Sequence, residues 1–238
     1  MGHKGGWVSQ LLKELNERCE GSPLLARLSQ DHLALDTGRW ICQELWPFIR
    51  ELPGNISVVR EQLPVASSSA RSLLGQLADD ERHYQRLFVK QCELAGLTEN
   101  DLAEHSPSPT MRDLCAALKK WASSADYVDG IYAIVTAELA ATAFSRYCLP
   151  HYERYFSAHA DNYQPGAIEE GLQWLRLHAR PQTRHALWLK RMIEDVRPAE
   201  ETGVPEAVAA VLNAVSAFWD GPQPGSSASS DATKALCV

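Results

Sequence analysis

Two histidines seven residues apart could face one metal ion or one substrate. His178 and His185 lie in the segment GLQWLRLHARPQTRHALWLKRMIEDV, which has the amphipathic pattern of a helix. Seven residues at about 100° each make nearly two turns, so both imidazoles leave such a helix within about 20° of each other. Pro181 lies between them and clashes with the carbonyl of Leu177, so we expect it to bend the helix toward a shared site. Alone, the pair would also suit an exposed helix face.

A third histidine, His83, follows three acids in the segment LLGQLADDERHYQRLFVKQ. Asp80 and Asp79 precede it by three and four residues and therefore share its face of a helix. A carboxylate beside an imidazole is ligand geometry for a first-row transition metal. The alternative is an exposed acidic turn with a histidine on the helix surface.

Glu138 is the most unusual acid because its segment, IYAIVTAELAATAFSRY, is apolar or small on nearly every face. Such a helix is expected at the centre of a bundle. Arg146, the nearest basic residue along the segment, is two turns away. A buried carboxylate needs a cation or a proton, so either a metal ion or a hydrogen-bonded, protonated Glu138 would satisfy the pattern.

Composition excludes several classes of function. The chain has 238 residues, 45% hydrophobic and 22% charged, as in a soluble globular protein. A net charge of −7 without a basic stripe argues against nucleic acid. We find no apolar run long enough to cross a bilayer and no signal peptide, so we expect a cytoplasmic protein. The six cysteines lack zinc or redox spacing and are expected to be buried.

The sequence pattern predicts helices for all the segments that must position these residues. No segment shows the two-residue alternation of a strand, so we predict an all-α, compact bundle of about seven helices. Pro47 should kink one long helix, and the turn chemistry of residues 53–55 should end it. The next helix should run from about Val65 to Leu94. We assign residues 1–220 to one helical domain and the serine-rich residues 221–238 to a disordered tail.

Three of these segments resemble motifs of the haem-oxygenase-like di-iron oxidases, a family in the clan of thiaminase II (TenA) and the PQQ-synthesis oxidase. The segments are DDERHYQRLFVKQCELAGL, VTAELAATA and HARPQTRH, and the resemblance spans roughly residues 10–200. It implies a haem-oxygenase-like bundle, two Fe(II) ions and dioxygen as co-substrate. The metal ligands that it implies are His83, Glu138, His178 and His185, with Asp80 as the first-helix carboxylate and Gln182 in the last motif.

The sequence departs from the family pattern at two positions. Gln182 stands where the family has an aspartate, and Gln76 stands where the first motif often has a glutamate, seven residues before its histidine. Asp80 would substitute for the second of these acids. Fewer anionic ligands leave open whether the site holds one iron or two.

The resemblance implies an oxygen-activating non-haem iron oxidase with Glu138 in the catalytic centre. Its substrate would be a small amino acid or carboxylic acid, which it would cleave, desaturate or N-oxygenate in natural-product biosynthesis. Arg39, Arg146 or Arg176 would anchor a substrate carboxylate. The alternatives are a metal-free relative, either a thiaminase-type hydrolase with Cys115 as nucleophile or a cofactorless oxidase, and a non-catalytic helical binding protein. Related folds are often dimeric, so a homodimer is also open.

Overall fold

A computed structural model describes residues 6–180, 185, 188, 192 and 204–221 of the chain, and within these ranges every regular element is a helix. The all-α prediction is therefore confirmed. The α-helices are α1 (Gly6–Gly21), α2 (Pro23–Ala26), α3 (Asp31–Gln62), α4 (Ser68–Leu94), α5 (Glu99–Glu104), α6 (Pro109–Ala122), α7 (Tyr127–Ala158), α8 (Ala167–Gly171), α9 (Gln173–Ala179) and α10 (Glu206–Trp219).

Helix α7 is the central element of the bundle. Every residue from Ile131 to Ala140 is buried, because α7 packs against α1, α3, α6, α9 and α10. A helix that is apolar on all faces needs such surroundings. By length and composition alone, α7 could also cross a membrane, whereas the sequence analysis found no apolar run of that length. However, 78% of its most apolar stretch is buried inside the protein, which accounts for the apolarity without a bilayer.

Helix α3 is longer than the sequence predicted. It continues through Pro47 and Pro53 to Gln62, so the turn predicted at residues 53–55 is wrong. Each internal proline removes a backbone donor and costs helix stability. The burial of Ile56 and Val59 offsets this cost, because both side chains pack into the interior of the bundle.

The segment with the two histidines is not one bent helix. Helix α9 ends at Ala179, and Arg180 is extended, with φ −66° and ψ 130°. A residue that precedes a proline is driven out of the helical region, so the break is a direct effect of the sequence. His185 has helical backbone again. Pro181, Gln182 and all of the predicted tail at 221–238 except Gly221 lie outside the described residues.

Candidate metal centre

Helix α4 directs Glu81 into the core. Leu74, Glu81 and Phe88 are spaced by seven residues, nearly two helical turns, and therefore share one face. All three are buried, and the Glu81 residue is only 4% exposed. The helix thus places a carboxylate where its neighbours on the same face are apolar. The sequence analysis missed this residue.

His83 lies on the other side of α4 and outside the cluster. Two residues after Glu81 correspond to about 200° around the helix, so the His83 side chain is exposed. Its Nδ1 lies 3.1 Å from Nη2 of Arg86. Gln76 is exposed as well, and its amide donates to the Ser72 hydroxyl. The structure therefore does not bring His83 to the cluster, and Glu81 is the residue of α4 that lies there.

Glu81 meets Glu138 and His185 in the interior. Nδ1 of His185 lies 3.3 Å from Oε2 of Glu138 and 3.5 Å from Oε1 of Glu81. One potential ligand atom from each of the three buried residues lies within 4.8 Å of the other two. Oε1 of Glu81 and Oε1 of Glu138 are both buried without a hydrogen-bond partner in the described part of the chain. Buried carboxylate oxygens without a partner call for a cation or protons beside them.

His178 completes the cluster with a nitrogen that is ready to bind a metal. Its Nδ1 lies 2.9 Å from the carbonyl oxygen of Trp174, and because a carbonyl can only accept, Nδ1 carries the proton. Nε2 therefore keeps its lone pair. It faces Oε1 of Glu81 at 3.9 Å, too far for a hydrogen bond. Two ligands that each lie about 2.1 Å from one ion are separated by roughly 3–4 Å, so this spacing fits a shared metal.

Asp80 holds the other nitrogen of His185. Its Oδ2 lies 3.1 Å from Nε2 of His185, whereas Nδ1 of the same ring faces Glu81 and Glu138. A metal-binding imidazole commonly donates its second N–H to a carboxylate, which fixes the orientation of the ring. Asp80 thus contacts the nitrogen of His185 that does not face Glu81 and Glu138, a geometry that suits a positioning residue.

The charges of the cluster are strongly coupled. Burial, followed by the charges of Glu138 and Asp80, raises the pKa of Glu81 well above its usual value. Burial lowers the pKa of His178, which favours the neutral imidazole. Burial also acts to lower the pKa of His185, but hydrogen bonds and charges from Glu138 and Asp80 outweigh it, so the net shift is upward. Without a metal, protons must therefore compensate the buried acids.

A second residue that the sequence analysis missed is Tyr84, which shares the inner side of α4 with Glu81. Its ring centre lies 5.5 Å from that of His178 and 5.6 Å from that of His185. The i, i+3 spacing from Glu81 is the sequence signal that could have located it. Tyr84 thus packs against both imidazoles and limits their movement.

A cavity lies next to the cluster. Glu81, Glu138 and His178 line it, together with apolar side chains from α3, α6, α7, α9 and α10. The buried acids of the cluster therefore lie beside an apolar wall.

The candidate substrate anchors and the candidate nucleophile lie elsewhere. The side chains of Arg39 and Arg146 donate to the carbonyl oxygens of Ala95 and Ala179, respectively, and Arg176 pairs with acids of α7 and α8. None of the three lines the cavity. Cys115 lines a separate cleft, and burial raises the pKa of its thiol to about 12, which disfavours the thiolate.

The all-helical bundle has the haem-oxygenase-like fold. The TENA/THI-4/PQQC family pattern matches residues 65–222, and the chain belongs to this family. Members of the family are typically enzymes. No curated protein matches the chain significantly.

Solved structures share the fold at low sequence identity. A TenA homologue from Pseudomonas syringae pv. tomato is 14% identical, with a TM-score of 0.70 over 92% of this chain and 88% of its own. A TenA homologue from P. horikoshii is also 14% identical, with a TM-score of 0.65 over 91% of this chain and 96% of its own. A haem-oxygenase-like domain of unknown function from Shewanella denitrificans is 14% identical, with a TM-score of 0.67 over 92% and 89%.

Proposed function

We propose that the protein is a non-haem iron enzyme that uses dioxygen to oxidise a small organic substrate. Glu81, Glu138, His178 and His185 would hold the iron. Imidazole nitrogens and carboxylate oxygens together suit iron or manganese, whereas magnesium prefers oxygen ligands alone. The choice of iron rests on the resemblance to the di-iron oxidases.

The observation that carries this proposal is the contact between His178 and Glu81. A nitrogen lone pair and an unpartnered carboxylate oxygen face each other at 3.9 Å inside the core. Two acceptors at that distance repel each other unless a cation or a proton lies between them. His185 and Glu138 add two more donor atoms within the same few ångströms, so a cation would find four donors from four parts of the chain.

The residues of the chain have separable roles in this proposal. Bound Fe(II) would supply the electrons that activate dioxygen. The Trp174 carbonyl holds His178 in the tautomer that exposes Nε2, and Asp80 holds the ring of His185. Tyr84 packs against both rings, and the apolar wall of the cavity keeps water from the reacting atoms.

Family membership favours a second candidate, a metal-free hydrolase of the thiaminase type. Such an enzyme needs a nucleophile beside its carboxylates. The described cysteines, which leave out Cys237, do not line the cavity that holds Glu81 and Glu138. Replacement of Cys115, the nucleophile considered from the sequence, is therefore expected to leave the activity unchanged, and loss of activity in Cys115→Ser would favour the hydrolase.

Iron stoichiometry tests the proposal directly. The protein would be loaded with Fe(II) without oxygen, desalted, and analysed for iron per chain. We expect about two ions in the native chain, as the resemblance implies, and loss of iron in Glu81→Gln and His185→Ala. His83→Gln is the matched control on the same helix and should retain all of its iron. Circular dichroism would verify that each variant folds.

Each other result has a definite meaning. About one iron per chain would indicate a mononuclear site. A native chain that retains no iron would overturn the iron proposal and leave the metal-free hydrolase, the cofactorless oxidase or a binding protein. Loss of iron in His83→Gln, with retention in Glu81→Gln, would refute the assignment of the ligands.

A further inference from the structure

A second cleft lies on the opposite side of α3 from the cavity beside the metal centre. Phe48 of α3 lines that cavity, whereas Arg50, two residues and about 200° further around the helix, lines the cleft. Helix α5, the loop that follows it and α6 form the other walls. Because α3 separates the cleft from the metal cluster, the proposed iron chemistry does not account for it.

Two arginines make one region of the cleft positive. Arg50 of α3 and Arg112 of α6 both line it, and in the described part of the chain neither forms an ion pair with an acid. Arg112 donates to the carbonyl oxygen of Pro107, which holds its guanidinium at the cleft and leaves its other N–H groups for a ligand. Glu51 also lines the cleft, so the three charges leave a surplus of one positive charge. That surplus suits a monoanion, because Glu51 would repel a second negative charge.

Trp46 gives the cleft a flat apolar wall. Its indole stacks on Phe88, with ring centres 6.5 Å apart and planes inclined by 3°. Phe88 is fully buried, so the core fixes the plane of the indole, whereas Trp46 itself is only half-buried and lines the cleft. A fixed indole is a platform on which a flat aromatic ring stacks.

A buried carboxylate holds the wall that lies across from Trp46. Oε1 of Glu44 lies 2.7 Å from Nε2 of His105, and both carboxylate oxygens accept from the backbone N–H of Ser108. Glu44 is 2% exposed, and His105 lines the cleft. These bonds hold the loop between α5 and α6 against α3. The cleft is therefore formed before a ligand arrives, which lowers the cost of binding.

We propose that this cleft is a second ligand site, which binds an aromatic monocarboxylate with its ring on Trp46 and its carboxylate between Arg50 and Arg112. The planar fork of a guanidinium matches the two oxygens of a carboxylate. The site needs no metal, and it is independent of the substrate that reacts at the cluster.

Calorimetric titration of the full chain with benzoate tests the charges of the site. Arg50→Gln and Arg112→Gln should each weaken binding about two- to fivefold, and Glu51→Gln should strengthen it by a similar factor. Because the effects have opposite signs, general destabilisation cannot produce both. Arg154→Gln removes the same charge from an exposed position on α7 that does not line the cleft, and it should leave the affinity unchanged.

Three comparison ligands and one filling variant test the shape of the site. Benzyl alcohol lacks the charge, cyclohexanecarboxylate lacks the flat ring, and phenyl phosphate is a dianion at about pH 8. Each should bind the native chain more weakly than benzoate does, and phenyl phosphate should gain the most from Glu51→Gln. Ala103→Phe places a large ring in the cleft from an exposed position of α5 and should strongly reduce binding of benzoate. Circular dichroism would verify that this variant folds.

Variants of the metal cluster separate this proposal from the iron proposal. The affinity for benzoate should be the same before and after loading with Fe(II), and the same in Glu81→Gln. A chain that retains no iron but shows the expected effects of Arg50 and Glu51 would support the cleft and overturn the iron proposal alone. No binding to the native chain, loss of binding in Glu81→Gln, or full binding in Ala103→Phe would overturn the second site. Equal binding of cyclohexanecarboxylate would refute the stacking on Trp46.

Discussion

Replacement of Asp80 by asparagine tests whether Asp80 positions His185 or binds the metal itself. In the native protein, Oδ2 of Asp80 lies 3.1 Å from Nε2 of His185, while Nδ1 of that ring faces Glu81 and Glu138. Asparagine retains an oxygen that can accept from Nε2–H but loses the charge. The imidazole would remain near its native orientation and become a weaker donor to the metal.

The expected size of the effect follows from this indirect role. Loss of a carboxylate that orients a metal-bound histidine typically weakens metal affinity by about 10–100-fold. That factor equals about 1.4–2.7 kcal/mol of binding free energy. Glu81→Gln removes a ligand atom from the centre of the cluster and should exceed this range. His83→Gln alters an exposed side chain and should leave the affinity unchanged.

Calorimetric titration with Mn(II), which accepts the same oxygen and nitrogen donors and is stable in air, would measure the three affinities. Thermal unfolding with and without the ion gives a second readout, because an ion that binds only the folded chain raises Tm. If Asp80→Asn abolished binding as completely as Glu81→Gln, Asp80 would be a ligand and the orientation argument would be refuted. An unchanged affinity would refute it as well.

Three further predictions concern pH and packing. Affinity for Mn(II) should rise with pH, because burial and the charges of Glu138 and Asp80 raise the pKa of Glu81, and a metal binds only the deprotonated carboxylate. Titrations between pH 5 and pH 8, run at roughly one-unit steps, would check the direction of this change. In Glu81→Gln the affinity should depend less on pH. Gly171→Ala should destabilise the protein by about 1–3 kcal/mol in urea unfolding, because a Cβ there would lie 2.7 Å from Cβ and Cδ2 of Leu94. Glu44→Gln should lower the unfolding free energy by about 1–3 kcal/mol in urea unfolding, because the buried carboxylate accepts from the backbone N–H of Ser108 and pairs with His105 at 2.7 Å. Equal stability in the variant would mean that the neutral amide makes both contacts as well as the charged carboxylate does.

The sequence predicted the parts of the site that depend on one helix at a time. The acid Glu138 in an apolar segment indicated a central helix, and α7 is central because ten successive residues are buried. The spacing of His178 and His185 indicated that they face one site, and both face Glu81. These inferences needed only periodicity and the cost of a buried charge.

The features that were predicted wrongly are ones that the local sequence pattern does not determine. In the run DDERH, every position is polar, and only the phase set by Leu74 and Phe88 selects Glu81 as the inward residue. The histidine attracted attention because of its chemistry, but His83 lies on the wrong side of α4. At residues 53–55, turn chemistry was overridden because tertiary burial keeps α3 helical. Conversely, Pro181 was expected only to bend the helix, but Arg180 before it is extended, and α9 ends at Ala179.

The dispersal of the four donors along the chain has a consequence for the order of folding. Glu81 lies on α4, Glu138 on α7, His178 on α9 and His185 beyond the break at Arg180, so no local segment carries a complete ligand set. A refolding chain must close long loops before any ion can meet more than a fraction of its ligands. Metal capture should therefore coincide with the last packing step of the bundle, and a fragment that lacks any one of these helices should bind the ion no better than an unfolded peptide.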